Sequence, residues 1–261
     1  MRLLYQNPAE LSNKSETEYV VSLVFMNIRG LIKRIPLIGK AATYIYIRCR
    51  RFPGTLNYWE RRYSSGENSG AGSRGRLAAF KADIINSFVQ ENKIGSVVDY
   101  GCGDGSQLCL ANYPTYIGLD VSHKAIELCK NRFALDNSKQ FYILDPKSYQ
   151  RKLDIPQCDL SLSLNVIYHL VEDEVFHQYM SVLFNSSNKY IIIYSSNLSE
   201  PHRYHIKPRH FTRWIDKHAP DWELIRKIDN PYPHDPSNPD STSKSDFYIF
   251  KKLPDLYHPV C

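Results

Sequence analysis

The chain has 261 residues, 43% of them hydrophobic, and a formal net charge of +6. That suffices for one α/β domain with an extension and excludes a disordered or fibrous class. Its six cysteines (49, 102, 109, 129, 158 and 261) show no C-x-x-C spacing and no pairing rhythm, so neither a zinc knuckle nor a disulfide framework is expected and a reducing cytoplasm fits.

Residues 1–18 are polar. From Tyr19 to Ile47 the sequence turns apolar, but charges interrupt it too often for the roughly eighteen residues a membrane span needs. Between Tyr19 and Trp59 seven basic residues (Arg29, Lys33, Arg34, Lys40, Arg48, Arg50 and Arg51) meet no acid, more than the whole net charge. Two readings stay open: a helical pair packed on the domain, or peripheral contact of 19–51 with an anionic membrane surface. No signal peptide is expected, so the N-x-S/T triplets at Asn13, Asn185 and Asn197 count as chance matches.

The stretch YWERRYSSGENSGAGSRGRLAAFK (58–81) sets aromatic and basic residues around a loop with Gly66, Gly70, Gly72 and Gly75. Such a loop is a linker or a mobile lid, and a lid over 64–75 is the reading adopted. Its flanks supply Trp59, Arg62, Tyr63, Arg74 and Lys81, a set able to stack on a bound group and grip a carboxylate. Apolar residues at spacings of three and four (Leu77, Phe80, Ile84, Ile85, Phe88, Val89) then predict a helix over 75–93.

The centre of the chain is SVVDYGCGDGSQLCLANYPTYIGLDVS (96–122). A short apolar run ending in Asp99 precedes glycines at alternate positions 101, 103 and 105, the mark of a strand-to-helix turn that something approaches closely. SQLCLA is expected to start a helix, and YIGLDV to form a second strand ending in Asp120, nineteen residues past Gly101. An acid there accepts hydrogen bonds from ribose hydroxyls. The pattern is G-x-G-x-G rather than G-x-G-x-x-G, and Asp104 inside the loop would repel pyrophosphate while suiting an ammonium and a sulfonium.

The DYGCGDG loop paired with GLDVS resembles motif I of class I S-adenosylmethionine-dependent methyltransferases, and the resemblance runs in order from Ser96 to about Leu253. The 58–81 stretch looks like one found in a bacterial subgroup associated with surface-glycan biosynthesis. The resemblance implies S-adenosylmethionine as cofactor and a Rossmann-like seven-stranded methyltransferase sheet of order 3-2-1-4-5-7-6, its last strand antiparallel, preceded by an N-terminal helical extension. It divides the chain into a basic and apolar extension, 1–57, and a catalytic domain, 58–261. The alternation of helical and strand patterns through HKAIELCKNRFA, KQFYILD, CDLSLSLNVIYHL, DEVFHQYMSVLF and KYIIIYSSN fits that plan, as does the closing pair WELIRKIDN and SDFYIFKKL.

In open parallel sheets ligands bind beyond the carboxyl ends of the strands. The expected cofactor residues are therefore Trp59, Arg62, Asp99, Gly101, Cys102, Gly103, Asp104, Asp120, Val121, Asp145 and Asn165. The place of Asp145 beside the adenine amino group is implied by resemblance, and an acid before Pro146 is equally a turn residue. The fourth tip, Asn165-Val166-Ile167-Tyr168-His169, departs from the NPPY signature of enzymes that methylate amide or nucleobase nitrogens. A histidine there suits proton removal from a hydroxyl, so His169 leads as general base, ahead of His205 and His210. Tyr63, Tyr168, Arg203 and Arg209 are expected at the substrate, and the basic loop 195–214 points to an acidic or phosphorylated one. His202 and His205 lack further ligands, so no metal is expected. The expected function is O-methylation of a sugar, glycan or glycolipid intermediate. The alternatives are an RNA or protein methyltransferase, though nucleic acid is the less expected partner, and a binding module of the same fold without turnover.

Overall fold

The computed structural model describes residues 52–144 and 156–254. The expectations for 1–51, including membrane contact through 19–51, and for Asp145 lie outside the described residues. Seven strands form one sheet: β1 (Ser96–Tyr100), β2 (Thr115–Asp120), β3 (Lys139–Ile143), β4 (Cys158–Leu164), β5 (Ser187–Ser195), β6 (Trp222–Ile228) and β7 (Asp246–Lys252). Their order is 3-2-1-4-5-7-6, as expected. Strands β3, β2, β1, β4 and β5 pair in parallel, while β7 runs antiparallel to both β5 and β6.

Alternation along the strands divides the core between two faces. Val98, Tyr100, Ile191 and Ile193 pack with Phe176, Tyr179, Met180, Leu183 and Phe184 of α4 (Asp173–Ser186) and with Phe211, Trp214 and Ile215 of α5 (Phe211–His218). On the other face Val97, Ile192 and Tyr194 meet Ile85, Phe88 and Val89 of α2 (Gly75–Glu91), together with Ile126 and Cys129 of α3 (His123–Arg132). Each such fully buried side chain contributes about 1.5–3 kcal/mol. Lys93, at φ 52°, closes α2, and Ile94 N–H donates back to Val89 O at 3.0 Å, which satisfies one of the last carbonyls.

Two local expectations need correction. SQLCLA does not open an α-helix; the chain makes only a 3₁₀ turn at Leu108–Leu110 before Pro114 leads into β2. Too few residues separate Gly105 from that proline for a helix to reach full turns and return. The segment read as a loop to Trp214 already becomes helical at Phe211, where Phe211, Trp214 and Ile215 recur at three and four and are buried.

Helix α1 (Thr55–Ser64) begins upstream of position 58 and has no side-chain cap from its own N-cap, Gly54. Glu172 supplies the cap from across the chain, accepting from Thr55 N at 2.9 Å and from Thr55 Oγ1. Farther along, Glu60 accepts from Ser122 Oγ at 2.7 Å at the start of α3. Carboxylates therefore pin α1 to the starts of α3 and α4. Glu172→Ala should cost about 0.5–2 kcal/mol, the range for a lost helix cap, and should show first as faster proteolysis within 52–74; unchanged cleavage and melting temperature would remove Glu172 from this role.

Candidate active site

The glycine loop explains its own spacing. Gly101, Gly103 and Gly105 have φ of 95°, 58° and 74°, the left-handed region that side chains disfavour. The amides of Gly101 and Cys102 both donate to Leu119 O, at 2.7 and 3.0 Å, so the loop folds back over β2. A Cβ on Gly101 would lie 2.4 Å from Val166 Cγ2, and one on Gly103 would lie 2.4 Å from Ser69 Oγ.

Asp120 is buried at the tip of β2, where its two oxygens accept from Gly103 N and Ser122 N, each at 2.9 Å. Burial pushes its pKa up to about 6, against the pull of the Ser122, Gly103 and Val121 amides. Asp99 is buried as well. Its Oδ2 accepts from Tyr116 Oη at 2.9 Å, while Oδ1 has no partner. Burial raises its pKa to about 7, opposed by the Tyr116 hydrogen bond and the charge of Lys81.

Both acids line a cavity of about 280 Å³ at the carboxyl ends of β1, β2 and β4, close to the lower size of small-molecule sites. Of the expected cofactor residues, Trp59, Gly101, Cys102, Gly103, Val121 and Asn165 also line it. Asn165 stands at φ 62°, its backbone N–H on Tyr194 O at 2.8 Å and its Oδ1 accepting from Ser245 Oγ at 3.2 Å. Tyr63 lines the cavity beside Gly103, and Tyr168 and His169 line it beyond β4. Burial raises the Tyr63 phenol, with the Asp120 charge adding to it, and burial also raises Tyr168.

Other expected residues stand elsewhere. Asp104 does not line the cavity; its Oδ1 accepts from Ser69 Oγ at 2.8 Å and from Ser106 N at 3.0 Å. Although burial opposes it, those partners hold its carboxyl below the usual range. Arg62 donates to Asn68 O at 2.8 Å and pairs with Glu67 at 3.3 Å, so it braces the loop that follows α1. Arg209 donates to Leu170 O at 2.7 Å and to Val171 O at 3.0 Å and pairs with Asp173, which also takes Lys207. Arg203 is exposed in a tight turn closed by hydrogen bonds with Ile206. His210 sits at the N-cap of α5 with Nδ1 3.1 Å from Thr212 Oγ1, outside the cavity.

His169 is fixed in one tautomer. Its Nδ1 lies 3.1 Å from the backbone oxygen of His205, which can only accept, so Nδ1 carries the proton and Nε2 keeps its lone pair. Burial lowers its pKa to about 3, partly offset by that hydrogen bond. The His205 ring lies outside the cavity, stacked between His169 (centroids 5.4 Å apart) and Tyr58 (4.6 Å). Trp59 meets His169 edge to face at 5.0 Å.

Residues Ser69 to Ser73, within the segment read as a lid over 64–75, line the cavity, although sequence reasoning did not single out Ser69 as a site residue. Ser69 grips Asp104, and a Cβ on Gly72 would lie 2.5 Å from Asn165 Nδ2, so this segment spans from the glycine loop to the tip of β4. The signal was the close-set Ser and Gly of 64–73, which lets backbone lie against backbone. Among the described residues no group of His, Cys, Asp and Glu could hold a metal, and no helix is long and apolar enough to cross a membrane.

Residues 98–184 match a family model described as a methyltransferase domain. Among solved structures the chain is similar to the N-methyltransferase NodS from Bradyrhizobium japonicum WM9 in complex with S-adenosyl-L-homocysteine, with a TM-score of 0.59 at 12% identity over 77% of this chain and 100% of that one. The magnesium protoporphyrin IX methyltransferase ChlM from Synechocystis PCC 6803 with bound SAM gives 0.51 at 18% identity, over 77% and 92%. The methyltransferase domain of bacterial CtHen1-C gives 0.52 at 17% identity, over 67% and 97%. At such identities the likeness is one of fold. No curated protein sequence matches the chain.

The residues present fit a nucleoside carrying an amino acid. Asp120 offers carboxylate oxygens at the second strand tip, Leu144 and Val121 give an apolar wall, and Asp99 Oδ1 is an acceptor without a donor. Asp120→Ala should weaken S-adenosylmethionine binding by roughly 1.5–3 kcal/mol, the loss for hydrogen bonds to a charged group. Calorimetric titration checks this, and unchanged affinity in a folded variant contradicts it.

Proposed function

We propose that this chain, whose residues 98–184 match a methyltransferase domain, is a class I S-adenosylmethionine-dependent methyltransferase that methylates a hydroxyl oxygen of a sugar, glycan or glycolipid intermediate. When bound, the cofactor supplies a sulfonium methyl open to in-line displacement. The chain positions the acceptor and takes its proton.

The observation that carries this reading is His169, a neutral imidazole on the cavity wall with Nδ1–H committed to His205 O and Nε2 left as an acceptor. An acceptor hydroxyl directed at Nε2 would lose its proton there as the oxygen attacks. The neighbouring wall is uncharged: Thr55, Trp59, Tyr168, Leu170 and Ile206. Aromatic faces and hydroxyls of this kind suit the mixed apolar and polar faces of a sugar ring. Arg209 and Lys207 are occupied with Asp173, which weighs for a neutral reacting ring over an acidic one. A phosphate or lipid elsewhere on the acceptor would meet other groups, and the basic segment 19–51 is proposed to bring the enzyme to an anionic membrane surface.

The similar structures include an N-methyltransferase, a small RNA methyltransferase and a magnesium protoporphyrin IX methyltransferase, so fold alone does not select the acceptor. A screen of methyl transfer from labelled cofactor over nucleotide sugars, lipid-linked glycans and RNA tests the proposal. Transfer to RNA alone, or to an amine, overturns it.

His169→Gln should lower turnover on the order of 10²–10⁴-fold with cofactor affinity nearly unchanged. The sign of the pH dependence follows from the lowered pKa: the imidazole stays unprotonated, and able to accept, at every pH above about 3. Wild-type turnover should therefore show no acidic limb from this residue across about pH 5–8. Turnover of His169→Gln within about threefold of wild type, with His205→Ala inactive, would place the base on His205.

A further inference from the structure

We propose that the rings lying outward of His169, with Tyr204 at their head, form an outer subsite on which a second sugar ring of the acceptor stacks, so that the enzyme takes a glycan of two or more units and not a single sugar. The inference rests on the proposed sugar acceptor and deepens it by naming its size.

The cavity of about 280 Å³ is near the lower size for one small molecule, yet a cofactor and an acceptor must share its walls. An acceptor whose hydroxyl reaches His169 Nε2 therefore continues beyond the cavity, along the surface that follows His169. That surface is aromatic. His205 stacks on His169 and Tyr58 on His205, and Tyr204 meets Tyr58, His205 and Phe52 at centroid distances of 6.1, 6.0 and 5.7 Å. Phe52, Tyr58, Tyr204 and His205 are each half-buried, so part of every ring meets solvent.

Tyr204 stands apart from the other three. It meets Tyr58, His205 and Phe52 at interplanar angles of 79°, 80° and 87°, so no described ring stacks in parallel on its face. Its backbone lies at φ 33°, in the left-handed half where a bulky side chain is strained and asparagine or glycine is not. The turn that carries it is tied to the cavity wall: Arg203 and Ile206 exchange N–H···O bonds of 2.8 and 2.6 Å, Lys207 N donates to Tyr168 O at 2.8 Å, and His205 O takes the proton of His169 Nδ1. Ile206 itself lines the cavity. The ring is thus held at a fixed place relative to the reacting atoms. The C–H face of a sugar ring packs on the negative face of an aromatic ring while its hydroxyls stay in water. A lipid chain would need a continuous apolar groove, but His202 and Arg203 beside Tyr204 are exposed and polar. The phosphates of a nucleic acid would need cations, and Lys207 and Arg209 next to the turn are paired with Asp173.

An array of single sugars and longer glycans, probed with the full chain saturated with S-adenosylhomocysteine, reads the subsite. The wild-type protein should bind glycans of two or more units about tenfold more tightly than single sugars. Tyr204→Asn, which accepts the left-handed turn, should not lower the melting temperature, should keep S-adenosylhomocysteine affinity within about twofold, and should weaken the longer glycans about tenfold. Tyr204→Phe should bind like wild type and Tyr204→Leu like Tyr204→Asn, because stacking needs the ring. Single sugars bound as tightly as longer glycans overturn the proposal. So does full binding by Tyr204→Leu, which would give the face to an apolar chain, or binding of RNA oligomers that Tyr204→Asn abolishes, which would give it to a nucleobase. A lowered melting temperature in Tyr204→Asn with equal losses for every ligand would make the tyrosine structural and also overturns it. Should Tyr204→Asn not fold, Tyr204→Phe against Tyr204→Leu decides, together with the length dependence of the wild-type protein. If the wild-type protein binds S-adenosylhomocysteine but no glycan of any length, the proposed sugar acceptor itself falls, a result distinct from those above.

Discussion

One buried carboxylate ties the site together. Asp120 accepts from Gly103 N on one side and Ser122 N on the other, so the glycine loop, the end of β2 and the start of α3 are held by a single side chain. Ser122 extends the tie: its Oγ accepts from Ala125 N at 3.1 Å to cap α3 and donates to Glu60 of α1. Position and charge at this point are therefore shared between the sheet and the helix that covers it. A carboxylate with two amide donors and a raised pKa is also poised to accept further hydrogen bonds, which is what ribose hydroxyls offer.

The cover over the cavity is fastened by the same kind of contact three times. Glu172 holds Thr55, Glu60 holds Ser122 and Asp104 holds Ser69, each a carboxylate accepting from a hydroxyl. Such charge-assisted bonds are stronger than neutral ones, and with Thr55, Ser122 and Asp104 buried they fix the cover in place. Tyr63 and Trp59 provide its apolar contribution to the cavity wall.

Charge in the loop after β5 is largely consumed within the fold. Arg209 lies over the Phe176 ring at 4.6 Å and caps the carbonyls of Leu170 and Val171, while Lys207 shares Asp173 with it. These contacts hold the turn that follows His169, so residues that look like substrate cations serve the position of that side chain. His205 acts likewise, through its backbone oxygen and its ring stacked on Tyr58. The cavity wall around His169 is left lined by neutral groups.

The sequence by itself determined the sheet and the glycine-loop end of the cavity. Strand and helix periods, the alternate glycines and Asp120 depend on backbone conformation and chain order, which are local properties. It also placed His169 at the fourth tip, since a residue that closely follows a strand goes where the strand goes. What only the tertiary structure decided is which polar groups are free. Asp104, Arg62 and Arg209 looked like ligand-binding residues because of their type, but their partners Ser69, Glu67 and Asp173 come from turns and other elements whose approach no spacing encodes. Conversely Lys81 looked like one member of a basic set, and only the packing of α2 against the sheet shows it buried on the wall of the same cavity as Asp99. Hydrogen-bond satisfaction is a property of the folded neighbourhood, and so the division between structural and ligand-binding charges appears only there.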